Sequence, residues 1–224
     1  MPRPAATAAA PDRHIAESTV RRLSLYLRVL EQTAARGQQT ISSDALAEDG
    51  GTTSAQVRKD LSFFGSFGKR GRGYDVSELV IRLREILGLE REWKVYILGA
   101  GKIGSALVSY RGFSQRGFRV LGIYDNNPLI VGRMIDGVGV RSMAQLEHDA
   151  AREQPDIAVL TVPAEHAQAV ADRVVQAGIR AIMNFAPSPI HVPAAITMKS
   201  VNMALELEGL TYAMVHRAAA AGAP

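Results

Sequence analysis

Apolar residues recur at helical spacing along the first third of the chain and in short unbroken runs along the rest. From Ser18 or Thr19, which read as N-caps, Val20, Leu23, Leu27, Leu30 and Ala34 fall 3-4-3-4 apart, so an amphipathic helix is predicted, closed by Gly37. Thr40-Ile41 reads as a short β segment. Ser42 or Ser43 then caps a second helix through Ala45 and Leu46, stopped by Asp49-Gly50-Gly51. Thr52 or Thr53 opens a third, Ser54 to about Phe64, with Val57, Leu61 and Phe64 facing inward. The run from Lys69 to Val76 reads as a hairpin with a basic, glycine-rich tip. Ser77 is expected to cap a further helix carrying Leu79, Ile81, Leu83, Ile86 and Leu87, which ends at Gly88 before the polar linker Glu90-Arg91-Glu92.

Past Trp93 the period changes. Val95–Leu98, Phe118–Tyr124, Val138–Arg141 and Asp156–Val162 are strand-length apolar runs, Ala181–Pro187 is another that runs into a polar loop, and helical patterns separate them. Strands buried on both faces read this way in parallel sheets. The fold class predicted is therefore α/β: residues 1–11 a disordered Ala/Pro-rich tail, 12–92 a winged-helix domain, 93–200 a Rossmann domain, and 201–218 a C-terminal helix. That last helix is unusual. Met203, Leu207, Leu210 and Met214 make one apolar stripe, and Val201, Leu205, Tyr212 and Val215 make a second. Two faces call for burial on most sides, by another subunit or by the chain's own sheet.

At 224 residues the chain has room for two cores. Its apolar content of 47% with 21% charged residues is ordinary for a globular protein, and no run approaches the length of a membrane span. The absence of cysteine excludes disulfides and thiol chemistry, and fits a cytoplasmic setting. No His/Asp/Glu set has metal-ligand spacing, so no metal is expected. The net charge of +4 says little about partners, whereas the clustering of Arg58, Lys59, Lys69, Arg70 and Arg72 says more.

The strand Val95–Leu98 breaks into Gly99-Ala100-Gly101-Lys102-Ile103-Gly104, a G-x-G-x-x-G turn opening a helix. Such a turn needs one glycine to bend, one to let a diphosphate approach the backbone, and one to let helix and strand pack closely. The next strand ends in Asp125, about twenty residues on, where a carboxylate accepts hydrogen bonds from an adenosine ribose. That carboxylate repels a 2′-phosphate, so NADH and NAD⁺ are favoured over their phosphorylated counterparts. Thr161-Val162-Pro163 and Asn184-Phe185-Ala186 follow other strands at the end where an open sheet binds its ligand.

In the N-terminal half, two short helices around a glycine turn form a helix-turn-helix. Its second helix would present Ser54, Gln56, Arg58 and Lys59 to the major groove, while Lys69, Arg70 and Arg72 at the hairpin tip would reach phosphates or a narrow minor groove.

The run Val57-Arg58-Lys59-Asp60-Leu61-Ser62-Phe63-Phe64-Gly65 with Gly71-Arg72-Gly73-Tyr74, and further on Gly99–Leu107, Tyr110-Arg111-Gly112-Phe113, Thr161-Val162-Pro163 and Asn184-Phe185-Ala186-Pro187, resemble the Rex family of redox-sensing transcriptional repressors. The resemblance implies a homodimer that binds a palindromic, A·T-rich double-stranded DNA operator and leaves it when NADH binds. It implies that the C-terminal helix is swapped into the partner's Rossmann domain, delivering Met203 to the cofactor. It places Tyr110 near the nicotinamide with Asn184, Phe185 and Ala186 beside it, and assigns a switch to the positions of Arg28, Tyr110 and Asn202. Some members carry an aspartate where this chain has Asn202, so a charged partner for Arg28 is missing here.

An NAD-dependent dehydrogenase with an accessory domain is the competing reading. It needs a proton-transferring group by the nicotinamide. Of His14, His148, His166, His191 and His216, none follows a strand end beside a carboxylate, and Tyr110 has no adjacent lysine to activate it. A CoA-ligase-like Rossmann domain shares the second half but leaves the basic cluster without a role.

Overall fold

A computed structural model describes residues 15–68 and 73–221. The expected tail and the hairpin-tip residues Lys69, Arg70 and Arg72 lie outside the described residues. The chain divides into two compact units, residues 1–91 and 92–224.

The first unit runs α1 (Glu17–Ala35), β1 (Thr40–Ile41), α2 (Ser43–Asp49), α3 (Ser54–Ser62), β2 (Tyr74–Asp75) and α4 (Val76–Ile86). Strands β1 and β2 pair antiparallel, Thr40 with Asp75 and Ile41 with Tyr74. This is the winged-helix order. Ser42 and Thr53 cap α2 and α3, their hydroxyls accepting the amides of Ala45 and Gln56. Two expected caps are corrected. Ser18 and Thr19 lie inside α1, which starts after Ala16 without a side-chain cap. Asp75, not Ser77, caps α4; its carboxylate accepts the Glu78 amide and the Ser77 hydroxyl.

The buried stripe of α1 is Thr19, Leu23, Tyr26, Leu27, Leu30 and Thr33. Val20 and Ile81, expected inside, are 40% and 57% exposed. The stripe is displaced from the apolar 3-4 spacing because α1 turns a polar contact inward. Asp60 of α3 is fully buried beneath α1. Its carboxylate receives Arg22 through two bonds of 2.6 and 2.7 Å, the Tyr26 hydroxyl at 2.9 Å and the Gln56 amide at 2.7 Å. Burial works against the charge, but these donors outweigh it and hold the Asp60 carboxyl below its usual range. Burial, reinforced by Asp60, pushes the Tyr26 phenol up to about 12. Leu23, Leu27 and Leu30 of α1, with Val57, Leu61, Leu79 and Leu83, fill the core around this knot.

The second unit is doubly wound. Its elements are β3 (Trp93–Leu98), α5 (Lys102–Val108), α6 (Arg111–Gln115), β4 (Phe118–Asp125), the hairpin β5 (Met134–Ile135) and β6 (Val138–Ser142), a 3₁₀ turn, α7 (Leu146–Glu153), β7 (Ile157–Leu160), α8 (Ala164–Gln176), β8 (Ala181–Asn184), β9 (Thr197–Ser200) and α9 (Met203–Ala221). The sheet order is β5-β6-β4-β3-β7-β8-β9, parallel except for β5 at one edge. The six parallel strands thus follow the 3-2-1-4-5-6 order, with the switch point between β3 and β7. Alternate side chains of β3 serve two cores: Val95 and Ile97 pack with Leu107 and Val108, and Tyr96 and Leu98 pack with α7 and α8.

Tyr96 and Tyr124, in runs that read as plainly apolar, are fully buried with polar tips satisfied. Their hydroxyls donate to Glu153 (2.6 Å) and Asp149 (3.0 Å), and Arg141 reaches both carboxylates. Removing one partner of a buried pair costs about 3–5 kcal/mol, because the other charge stays buried. Asp60→Ala is therefore expected to strip hydrogen-exchange protection from α1 and α3 while the sheet of the second unit keeps its own. Because the Asp60 pKa is depressed, the stabilisation is complete above the ordinary carboxylate range, about pH 4, and is lost as pH falls through the folded-state value. Asp60→Asn should show a shallower acid limb in protection of the same helices, and an unchanged limb would contradict the assignment.

Candidate functional site

At the carboxyl ends of the second unit's strands lies a cleft of about 960 Å³, lined by the glycine turn, the loop after β4 and the loops after β7 and β8. That volume lies near the upper end of ligand clefts, roughly 300–1,000 Å³. Each glycine has a distinct reason to be there. Gly99 takes φ +105°, and a Cβ on it would lie 2.7 Å from the Thr161 carbonyl oxygen. A Cβ on Gly104 would run into the Gly99 carbonyl and the Thr161 hydroxyl, so α5 can approach β3 only through hydrogen. A Cβ on Gly101 would meet nothing within 4 Å. No protein atom there demands glycine. The first amides of α5, from Lys102 onward, have no acceptor within their helix.

Asp125 stands at the end of β4 on the cleft wall. One carboxylate oxygen accepts the Ala100 amide at 2.7 Å and the other accepts the Asn127 amide at 2.8 Å. Each oxygen keeps a further lone pair, so the group can still accept from a diol. Gly99, Gly101, Lys102, Ile103, Thr161, Val162, Pro163 and Phe185 line the same cleft. A narrow polar ledge beside Asp125, an open glycine and the apolar walls of Val162, Pro163 and Phe185 thus share one cleft.

Other expected residues are placed elsewhere. The Ala100 amide is spent on Asp125. Asn184 is fully buried, and its amide group pins the following loop: Oδ1 accepts the Ala186 N–H at 2.9 Å, and Nδ2 donates to the carbonyls of Ala186 and Ser188. Ala186 is buried with it. Tyr110 does not line the cleft; it is 59% exposed and borders a separate recess with Phe113, Phe118 and Val138. The reason is geometric, since α5 carries the chain about 10 Å back along the sheet before Tyr110 starts α6. Met203, expected at the partner's cofactor and not at its own, is 69% exposed on α9. Asn202 caps α9, its Oδ1 accepting the Ala204 amide, and Arg28 is exposed on α1.

The sequence reading missed Asn126, Asn127, Pro128 and Ile130, which form the wall beyond Asp125. The Asn127-Pro128 dipeptide was a usable turn signal. His166, the histidine with the best claim to proton transfer under the dehydrogenase reading, stands exposed on the cleft rim.

In the first unit, α3 offers one outward face. Arg58 and Lys59 are exposed on it and Ser54 is half-buried at its start. Arg58 donates to the Ser43 hydroxyl of α2 at 2.8 Å, which holds the guanidinium along the helix-turn-helix. Gln56 is half-buried, and its amide nitrogen turns inward to donate to Asp60, four residues on, at 2.7 Å.

Residues 90–188 match the family described as "CoA binding domain", and residues 14–62 match "Putative DNA-binding protein N-terminus". The redox-sensing transcriptional repressor Rex of Carboxydothermus hydrogenoformans is 44% identical over 88% of this chain and 95% of its own. The chain belongs to the Rex family. Among solved structures, the Rex-family repressor RSP in complex with NAD⁺ and operator DNA is 38% identical, covering 92% of this chain and 95% of that one at a TM-score of 0.86. RSP in complex with NADH aligns over 92% of this chain and 97% of that one at 0.83, with 36% identity. Rex relatives are named as transcriptional repressors, not as enzymes, which decides against the dehydrogenase reading.

The glycine geometry makes a paired forecast. Gly104→Ala is expected to destabilise the second unit by about 1–3 kcal/mol, the usual cost of overpacking. Gly101→Ala should leave its thermal unfolding unchanged. Equal melting shifts for the two variants would refute this division of roles.

Proposed function

We propose that this chain is a cytoplasmic, homodimeric Rex repressor that holds a palindromic A·T-rich operator and releases it as the NADH/NAD⁺ ratio rises. The observation carrying the reading is that one chain joins a helix-turn-helix with outward Arg58 and Lys59 to a cleft with an open Gly101 and a ribose-height Asp125. Relatives solved with NADH, and with NAD⁺ and operator DNA, align across both halves. Arg58 and Lys59 are assigned to the major groove and Lys69, Arg70 and Arg72 to phosphates or the minor groove. NADH can act only by binding the DNA-incompetent arrangement better than the competent one. A coupling of about 1–3 kcal/mol changes operator affinity by roughly 5–150-fold.

The homodimer is supported by α9. Leu205, Leu207, Leu210, Tyr212, Met214 and Val215 are each at least 60% exposed, a state that both stripes of an all-round apolar helix oppose. No described helix is long and apolar enough to cross a membrane. Coverage by a second subunit, with α9 exchanged, brings Met203 to the partner's cofactor. Asn202 serves as helix cap, and its neutral amide gives Arg28 a weaker partner than a carboxylate, by roughly half.

Fluorescence anisotropy on an A·T-rich palindromic duplex at fixed salt is the test. NADH should displace the protein at concentrations where NAD⁺ does little; absence of sequence-preferring binding overturns the reading. Arg58→Ala should abolish operator preference with NADH affinity retained. Asp125→Ala should weaken both nucleotides by at least tenfold while nucleotide-free operator affinity stays within twofold, about the scale of losing charge-assisted hydrogen bonds.

A further inference from the structure

The peptide linking Gly99 to Ala100 is held from both neighbouring strands. Its carbonyl oxygen accepts the Thr161 hydroxyl at 2.8 Å, from just past β7, the nearer of two carbonyls that hydroxyl faces, the other being Leu98 at 3.1 Å. Its N–H donates to Asp125 at 2.7 Å, at the end of β4. The flanking groups are held as well, for the Gly99 N–H donates to the Tyr124 carbonyl at 2.8 Å and the Ala100 carbonyl accepts the Ser105 hydroxyl at 3.1 Å. All four backbone polar groups of Gly99-Ala100 are thus taken by the protein before any ligand arrives. Gly101, next in the chain, is the glycine whose Cβ would meet open space.

We propose that Thr161 is a positioning residue, its hydroxyl holding the Gly99 carbonyl away from the diphosphate and, with Asp125 on the other side, locking one peptide orientation across the switch point. The assignment rests on the dinucleotide reading of the cleft and changes the part played by a residue that reading would otherwise count as a ligand. A carbonyl turned toward a diphosphate would set partial negative charge against negative charge. A hydroxyl donor on that carbonyl prevents the turn, and organises the loop at no cost when the ligand binds. The Thr161 amide also donates to the Leu98 carbonyl at 2.8 Å, which anchors the residue from its backbone so that the hydroxyl needs no separate ordering. Gly99 at φ +105° has the conformational freedom to turn its peptide, so something must hold it.

Thr161→Ser and Thr161→Ala differ by one oxygen and neither adds bulk, which isolates the hydroxyl. Two readouts on the full-length protein are taken: exchange of the Ala100 amide without nucleotide, and dissociation constants for NADH and NAD⁺. The serine variant should match wild type in both. The alanine variant should exchange the Ala100 amide about five- to tenfold faster and bind both nucleotides about five- to tenfold more weakly, the scale of one hydrogen bond. The NADH/NAD⁺ affinity ratio should not move, because the diphosphate is common to both. Unchanged Ala100 exchange in the alanine variant overturns the proposal, and so does a changed ratio, which would place Thr161 against the nicotinamide. If wild type binds neither nucleotide the cofactor reading falls, while the exchange difference still judges the clamp by itself.

Discussion

Strand β3 ends at Leu98 in the middle of the sheet, between β4 and β7, and the chain must leave that position without filling it. Three features of the second unit answer this one constraint. Gly99 bends the backbone into a region that side chains disfavour, Gly104 lets α5 turn back within contact of β3, and Thr161 and Asp125 tie the bend to the strands on either side. The cleft is the space left over. Because the flanking connections diverge at a switch point, it opens where backbone amides are unpaired, which is why a parallel sheet presents a ligand site at this end and not the other.

The first unit depends on a different interaction with the same logic. Asp60 sits under α1 with Arg22, Tyr26 and Gln56 around it, so α3 is held at one rotation relative to α1. That rotation turns Arg58 and Lys59 outward. A helix fixed by leucines alone could slide or roll at small cost, since apolar contact is non-directional. Four hydrogen bonds converging on one carboxylate are directional. Charge spent inside therefore fixes where charge is offered outside, and Gln56 is the residue that shows the exchange: polar, on the recognition helix, and committed to the core.

The C-terminal helix makes the opposite statement. Its apolar residues are exposed in the single chain, and its only described polar start is the Asn202 cap. Burial stabilises by about 25 cal/mol per Å² of apolar surface, so a nineteen-residue helix left bare on several faces is a surface in want of a cover. The proposed exchange between subunits supplies it and ties dimer formation to completion of the cofactor site.

The amino-acid order alone determined the two-part architecture, the α/β class of the second part, the helix-turn-helix with a hydroxyl cap at Ser42 or Ser43 and another at Thr52 or Thr53, the glycine turn and Asp125. These are legible because each is local: periodicity, capping and turn chemistry act over a few residues. Tertiary structure decided what depends on contacts distant in sequence. Asp60 has no partner legible from its own stretch of chain, because Arg22 lies thirty-eight residues away and reaches it only when α1 is laid over α3. Val20 and Ile81 are apolar yet face outward: α1 turns Thr19 and Tyr26 inward beside Leu23, and Ile81 stands two residues from Leu79 and from Leu83, on the opposite face of α4. Asn184 looked like a ligand at a strand end and proved to be the pin of its own loop. Thr161 and Ala100 lie in the motifs that suggested the site, but only their bonds across three strands show that they hold the loop in place. Side chains of the right type at the right spacing mark where chemistry can occur; the partner that each one finds across the fold decides whether it faces the ligand or supports what does.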